Sequence, residues 1–102
     1  MGRTFVSVEL RDSSATTRFE TVMEDLGFVQ VVKGRIKGQP LRLPAGMFLL
    51  ENSTATQALE LVRRAVKEAN VQAHIFCIPA GDDVRFGNLQ PDQSEPDLQP
   101  LA

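Results

Sequence analysis

The stretch TFVSVELRDSSATTRFETVMEDLG, residues 4–27, decides the fold, because it holds a complete strand, a turn and a complete helix. Residues 4–10 alternate between two rows of side chains, which favours a strand with one buried face. The apolar row is Val6, Val8 and Leu10, and the mixed row is Phe5, Ser7 and Glu9. We expect the apolar row to face the helices and the mixed row to face outward.

A helix is predicted after the turn, up to about Leu26. Its start is marked by side-chain oxygens suited to the N-cap, those of Asp12, Ser13 and Ser14. One face repeats apolar residues at helical spacing, namely Phe19, Val22, Met23 and Leu26. Gly27 is expected to end the helix as a C′ glycine, with Phe28 as the hydrophobic contact that follows.

The second half of the chain repeats the strand–helix–strand order. Strands are predicted at residues 28–32, 46–52 and 73–79, with a helix between the last two. Ser53 or Thr54 caps this helix, Thr54 and Gln57 have the spacing of a capping box, and Asn70 ends it. The order βαββαβ with right-handed crossovers predicts an α+β, ferredoxin-like sandwich, in which two helices cover one face of a four-stranded antiparallel sheet.

The length of 102 residues indicates one domain, and 42% hydrophobic residues provide a modest core. Residues 1–89 form the predicted domain and carry a net charge of +1, from 11 basic and 10 acidic residues. The remaining QPDQSEPDLQPLA, residues 90–102, holds three acids and three prolines, and we expect a disordered acidic tail. A single cysteine, no apolar run long enough for a membrane span and no signal peptide favour a cytoplasmic protein.

The open face of the predicted sheet is partly apolar. The segments MFLLE and HIFCI, residues 47–51 and 74–78, carry apolar side chains on both alternating faces. A half-apolar open face on a small domain favours a homodimer that buries it. The alternative is a few tolerated apolar side chains on an ordinary surface.

A basic stretch, VVKGRIKGQPLRLPAG at residues 31–46, contains no acid. Lys33, Arg35, Lys37 and Arg42 make it a local positive hairpin that suits the phosphates of RNA or DNA. The alternative is a solvated hairpin whose charges keep strand edges from aggregating.

Candidate catalytic residues are few, because the sequence contains no P-loop, no GxGxxG and no CxxC motif. Glu9 and Asp12 lie at the end of the first strand, where one or two carboxylates with water and phosphate suit Mg²⁺. Their alternative roles are a solvated strand position for Glu9 and helix capping for Asp12. His74 and Cys77 fall on opposite faces of their strand, so they share no ligand site, and Cys77 is expected to be a small core residue.

The pattern FVSVELRDSS, followed by a helix and the return GFVQVVKG, resembles the opening of two related families. They are the small CRISPR-associated ferredoxin-like nucleases and the virulence-associated protein D endoribonucleases. The resemblance implies a prokaryotic or phage nucleic-acid-associated protein that forms an endoribonuclease-like, metal-dependent dimer. The families' strand-end Asp carries over to Glu9, a different residue type, or to Asp12 in the following turn, and these two residues would be catalytic and hold Mg²⁺.

Two further functions stay open at this point. The first is a non-enzymatic dimeric protein-interaction module that uses the open sheet face, and the second is small-molecule sensing between protomers. RNA recognition by stacking on the sheet is less favoured, because the middle strands lack the basic–Gly–aromatic pattern of such domains.

Overall fold

Five strands and two helices follow one another along the described part of the chain, residues 2–33, 39–81 and 89 of a computed structural model. The strands are β1 (Arg3–Leu10), β2 (Val31–Lys33), β3 (Pro40–Arg42), β4 (Met47–Leu50) and β5 (Ala73–Ala80). The helices are α1 (Thr16–Asp25), preceded by one 3₁₀ turn at Ser13–Ala15, and α2 (Ala55–Ala69). The fold is therefore α+β, as predicted.

The C-terminal ends of both helices and the N-cap of α2 are the ones that the sequence predicts, whereas α1 begins later than expected, with Ala15 as its N-cap and Asp12 capping the 3₁₀ turn before it. Gly27 has a positive φ of 99° just after α1, and Phe28 behind it is buried. Thr54 is the N-cap of α2 and forms both halves of a capping box with Gln57. Asn70 closes α2 in the left-handed conformation, at φ 55°. Local sequence signals thus fix both helices before any packing is considered.

The main sheet is three-stranded and antiparallel, in the order β4–β1–β5. Directly opposed residues in antiparallel strands point to the same face. The row Phe48–Val6–Cys77 points inward, and the side chains of Val6 and Phe48 are buried there. Buried residues of both helices join this row in one core cluster. The predicted inward row of β1 is confirmed.

Phe48 lies at the centre of this core. Its ring meets those of Phe19 on α1 and Phe28 after α1 in edge-on contacts, with centroid distances of 6.1 Å and 6.4 Å. Such T-shaped pairs are favourable beyond the area that they bury. The three rings connect α1 to the sheet.

The remaining two strands, β2 and β3, pair with each other and form what we call the arm. A single bridge, Val29 with Leu49, joins the stretch before β2 to β4 through hydrogen bonds of 2.9 Å and 2.8 Å. The prediction of one four-stranded sheet is therefore met only in part by the described residues, which form a three-stranded and a two-stranded sheet. The predicted third strand is shorter than expected, and a turn at residues 44–46 separates it from β3, a strand the sequence did not reveal.

A second, smaller cluster lies between the arm and the outer face of the main sheet. Its buried members are Val32, Leu43 and Leu49, and Leu89 packs against them. The predicted acidic tail, residues 90–102, lies outside the described residues. In the described part of the chain, neither helix is both long and apolar enough to cross a bilayer.

Candidate functional site

Glu9 lies on the outer face of β1, near the end of the strand. Its side chain is exposed, and its cross-strand neighbour on β5 is His74, also exposed. The sequence does not indicate this pairing, because it depends on the register between two strands that are more than sixty residues apart.

Asp12 caps the 3₁₀ turn that leads into α1. One carboxylate oxygen accepts hydrogen bonds from the backbone N–H of Ser14, at 3.0 Å, and from the Ser14 hydroxyl, at 2.8 Å. These two bonds, together with the nearby positive charge of Arg18, hold the pKa of Asp12 below its ordinary value. The capping role is confirmed, and the role of Asp12 in binding Mg²⁺ or in catalysis stays a prediction.

Metal-binding side chains do not cluster in the part of the chain that the structure describes. No group of three or more His, Cys, Asp or Glu residues is arranged there to hold an ion. His74 and Cys77 lie on opposite faces of β5, as predicted. The Cys77 thiol packs against the core, and burial raises its pKa, so at neutral pH it is protonated and a poor nucleophile.

The predicted basic stretch, residues 31–46, begins with β2 and continues after the undescribed residues with β3, and these two strands pair. Lys33 ends β2 and Arg42 ends β3, and both side chains are exposed. The Arg42 guanidinium donates to the side-chain oxygen of Gln30 at 3.4 Å, and the Gln30 amide donates to Glu20 on α1 at 3.2 Å. This relay connects β3 to α1. Arg35 and Lys37 lie outside the described residues.

The outer side of β5 carries the largest exposed apolar side chains of the described chain. Phe76 is 64% exposed and Ile78 is 48% exposed. They follow His74 on the same face of the strand, and we call these three residues the β5 patch. The sequence predicted an apolar outer face but not its limits, since the second cluster covers Leu49 and leaves the β5 patch in contact with solvent.

The free edge of β5 is uncharged. In the described part of the chain β5 pairs with β1 alone, so no described strand pairs with its other edge. The strand reads AHIFCIPA and contains no Asp, Glu, Lys or Arg. Edge strands of monomeric proteins are commonly protected by charges or proline, and here Pro79 alone serves that purpose, at one end.

The chain matches no protein-family model, and no curated protein matches it either.

Proposed function

We propose that this chain is a homodimeric interaction module in which two copies join through β5. The observation that carries the proposal is the exposure of Phe76 and Ile78, at 64% and 48%, side by side on one face of an edge strand. Exposed apolar side chains that adjoin an unpaired strand edge favour association, because pairing buries both the side chains and the main-chain groups.

A second copy of β5 is the partner that fits this edge best. In an antiparallel arrangement about a two-fold axis near Phe76, each β5 patch meets its own symmetry mate. The uncharged sequence between Ala73 and Ala80 means that no like charges oppose each other in such a pair. Pro79 has no N–H to donate, which limits pairing at that end and centres the contact on residues 73–78.

The fold that goes with this dimer is, we infer, a ferredoxin-like βαββαβ sandwich. The Val29–Leu49 bridge supports it, because it brings the strand region after α1 beside β4 and extends the order β4–β1–β5 by a fourth position. The resulting order is the one expected from two right-handed strand–helix–strand units joined by a hairpin.

Sedimentation of the full chain tests the dimer. The wild type should sediment as a dimer, and the double variant Phe76→Ser/Ile78→Ser should sediment as a folded monomer. Val29→Ser is the matched control, because Val29 is also an exposed apolar residue, at 42%, but lies at the opposite side of the sheet. A monomeric wild type, or equal dissociation of the control variant, would refute the proposal.

A second candidate is nucleic-acid association, with metal-dependent endoribonuclease activity as its strongest form. It is favoured by the exposure of Glu9 and Asp12 near one end of β1 and of Lys33 and Arg42 on the arm. In this proposal Glu9 and Asp12 hold Mg²⁺, and Lys33, Arg35, Lys37 and Arg42 contact phosphates. Basic side chains that neutralise phosphates release counterions, and this makes such contacts dependent on salt.

A salt titration of binding to labelled RNA and DNA tests this candidate. The quadruple variant of Lys33, Arg35, Lys37 and Arg42 to Ala should lose salt-sensitive binding, whereas Arg63→Ala/Arg64→Ala/Lys67→Ala, which removes charges from α2, should retain it. RNA cleavage with Mg²⁺ should then depend on both Glu9 and Asp12, with exposed Glu60→Ala as control. Absence of binding in the wild type would remove the candidate.

A further inference from the structure

A polar depression lies where the end of β1 meets the connection between α2 and β5. It has a volume of about 480 Å³ and is open to solvent. Its polar lining comes from Arg11, Asp12, Arg18, Asn70 and Gln72. Two of these residues, Arg11 and Arg18, carry guanidinium groups. Arg11 follows β1, and Arg18 lies on α1.

Both guanidinium groups are held in place by hydrogen bonds, Arg11 to the α2–β5 connection and Arg18 to the last residue of α2. Arg11 donates from its backbone N–H to the Gln72 carbonyl at 2.9 Å and from Nη1 to the Gln72 side-chain oxygen at 2.7 Å. Arg18 donates from Nε to the Ala69 carbonyl at 2.8 Å. A fixed guanidinium loses less side-chain entropy when a ligand binds than a freely rotating one does.

These two arginines have spare hydrogen-bonding capacity. A guanidinium has five N–H donors, and each side chain uses one nitrogen in the bonds above. Arg3 and Arg64 make salt bridges with carboxylates, but no described carboxylate lies within salt-bridge distance of Arg11 or Arg18. Asp12 is the one carboxylate in the lining, and its hydrogen bonds go to Ser14. The lining therefore keeps an excess of one positive charge.

We propose that this depression is a binding site for a phosphate group, held by Arg11 and Arg18. Guanidinium forks match the spacing of phosphate oxygens and form charge-assisted hydrogen bonds with them. The amide side chains of Asn70 and Gln72 provide further donors in the lining. The phosphate belongs either to a small phosphorylated molecule or to the backbone of a nucleic acid. The site is independent of the dimer proposed above.

Titration with inorganic phosphate at constant ionic strength tests the site. The backbone amide resonances of Asn70, Val71 and Gln72 report the binding. We expect saturable shifts there, and roughly tenfold weaker binding in Arg18→Gln, because a hydrogen bond to a charged group is lost. Arg63→Gln, which removes an exposed charge on α2 away from the depression, should bind as the wild type does. Phe76→Ser/Ile78→Ser should also bind phosphate as the wild type does, so the outcome of this test does not depend on whether the dimer forms.

Asp12→Asn gives a prediction of opposite sign. Asparagine is as good an N-cap as aspartate, so α1 stays in place while the negative charge disappears from the lining. Phosphate should therefore bind more tightly to Asp12→Asn than to the wild type. Weaker binding to this variant, shifts that do not saturate, or an equal loss in Arg63→Gln would overturn the proposal.

A short single-stranded RNA and pyrophosphate distinguish the two sources of the phosphate. If RNA binds more tightly than inorganic phosphate and Arg18→Gln weakens it, the ligand is a nucleic-acid backbone. If pyrophosphate binds more tightly than inorganic phosphate, Arg18→Gln weakens its binding and RNA does not compete with it, the ligand is a small phosphorylated molecule. Failure of all three probes to shift the Asn70, Val71 and Gln72 amides would overturn the proposal.

Discussion

Among the glycines that the structure describes, Gly46 has the least room for a side chain. Its φ is +80°, and a Cβ at this position would lie 2.6 Å from the carbonyl oxygen of Val8. Its own carbonyl accepts a 2.7 Å hydrogen bond from the Val8 N–H, so β1 cannot move away without losing that bond. Glycine is therefore required where the turn enters β4.

Gly46→Ala should lower the free energy of unfolding by about 2 kcal/mol or more, since left-handed strain adds to the steric clash. Urea unfolding measures this loss. Gly81→Ala is the matched control, because no atom lies within 4 Å of an added Cβ there, and it should change stability by less than about 0.5 kcal/mol. Equal effects of the two substitutions would contradict the argument.

Asp12 should make stability depend on pH in the acidic range. Its hydrogen bonds with Ser14 lower its pKa in the folded state. The carboxylate therefore contributes stability above its unfolded pKa of about 3.9, and this contribution disappears as the pH falls through the lower folded value. Asp12→Asn keeps the cap but does not titrate. The stability of the wild type relative to Asp12→Asn should fall on acidification from pH 6 toward pH 3, as measured by thermal unfolding, and a constant difference would contradict the assignment.

At the scale of the element, α2 depends on its capping box. The Thr54 hydroxyl accepts from the Gln57 N–H at 3.1 Å, and the Gln57 side chain accepts from the Thr54 N–H at 3.0 Å. Thr54→Ala should lower the free energy of unfolding by about 1 kcal/mol. Thr56 is an exposed residue in the first turn of the same helix. Thr56→Ala should be neutral or slightly stabilising because alanine favours helix. Urea unfolding of both variants measures the difference, and equal losses would argue against the cap.

The sequence predicts those elements whose signals are local. The alternation in β1, the helical spacing in α1 and the capping box of α2 all lie within a few residues of the structure that they form, and each is confirmed. Within the arm, β3 was not predicted as a strand, because it has three residues, begins with Pro40 and lies in a stretch whose charges resemble a loop. Its position depends on packing against Leu49 rather than on local preference.

At the scale of the whole molecule, the candidate sites depend on contacts that no local pattern contains. Arg11 and Gln72 are 61 positions apart in the sequence and meet through the pairing of β1 with β5. The limits of the β5 patch depend on how far the second cluster extends over the sheet. Sequence alternation predicted an apolar outer face, but the division into a covered and an exposed half is a tertiary property.

The two clusters also predict how the molecule opens. β1 is paired on both sides, whereas the arm is joined to the main sheet by the Val29–Leu49 bridge and the second cluster. Regions with few buried contacts open locally at lower free energy than the core. In native-state hydrogen exchange, the Leu43 amide, bonded to the Gln30 carbonyl at 2.7 Å, should therefore exchange through a lower-energy opening than the amides of β1.

Two core substitutions separate local opening from global unfolding. Leu49→Ala removes a buried side chain from the second cluster, so it should speed exchange at Leu43 more than at Val6. Val62→Ala removes a side chain from the main core and should lower the protection of the β1 amides as global stability falls. If Leu43 and Val6 open with the same free energy in the wild type, and both variants affect them equally, the arm and the sheet unfold as one unit. Different responses establish the arm as a separately opening part of the fold, able to rearrange while the helices and β1 stay folded.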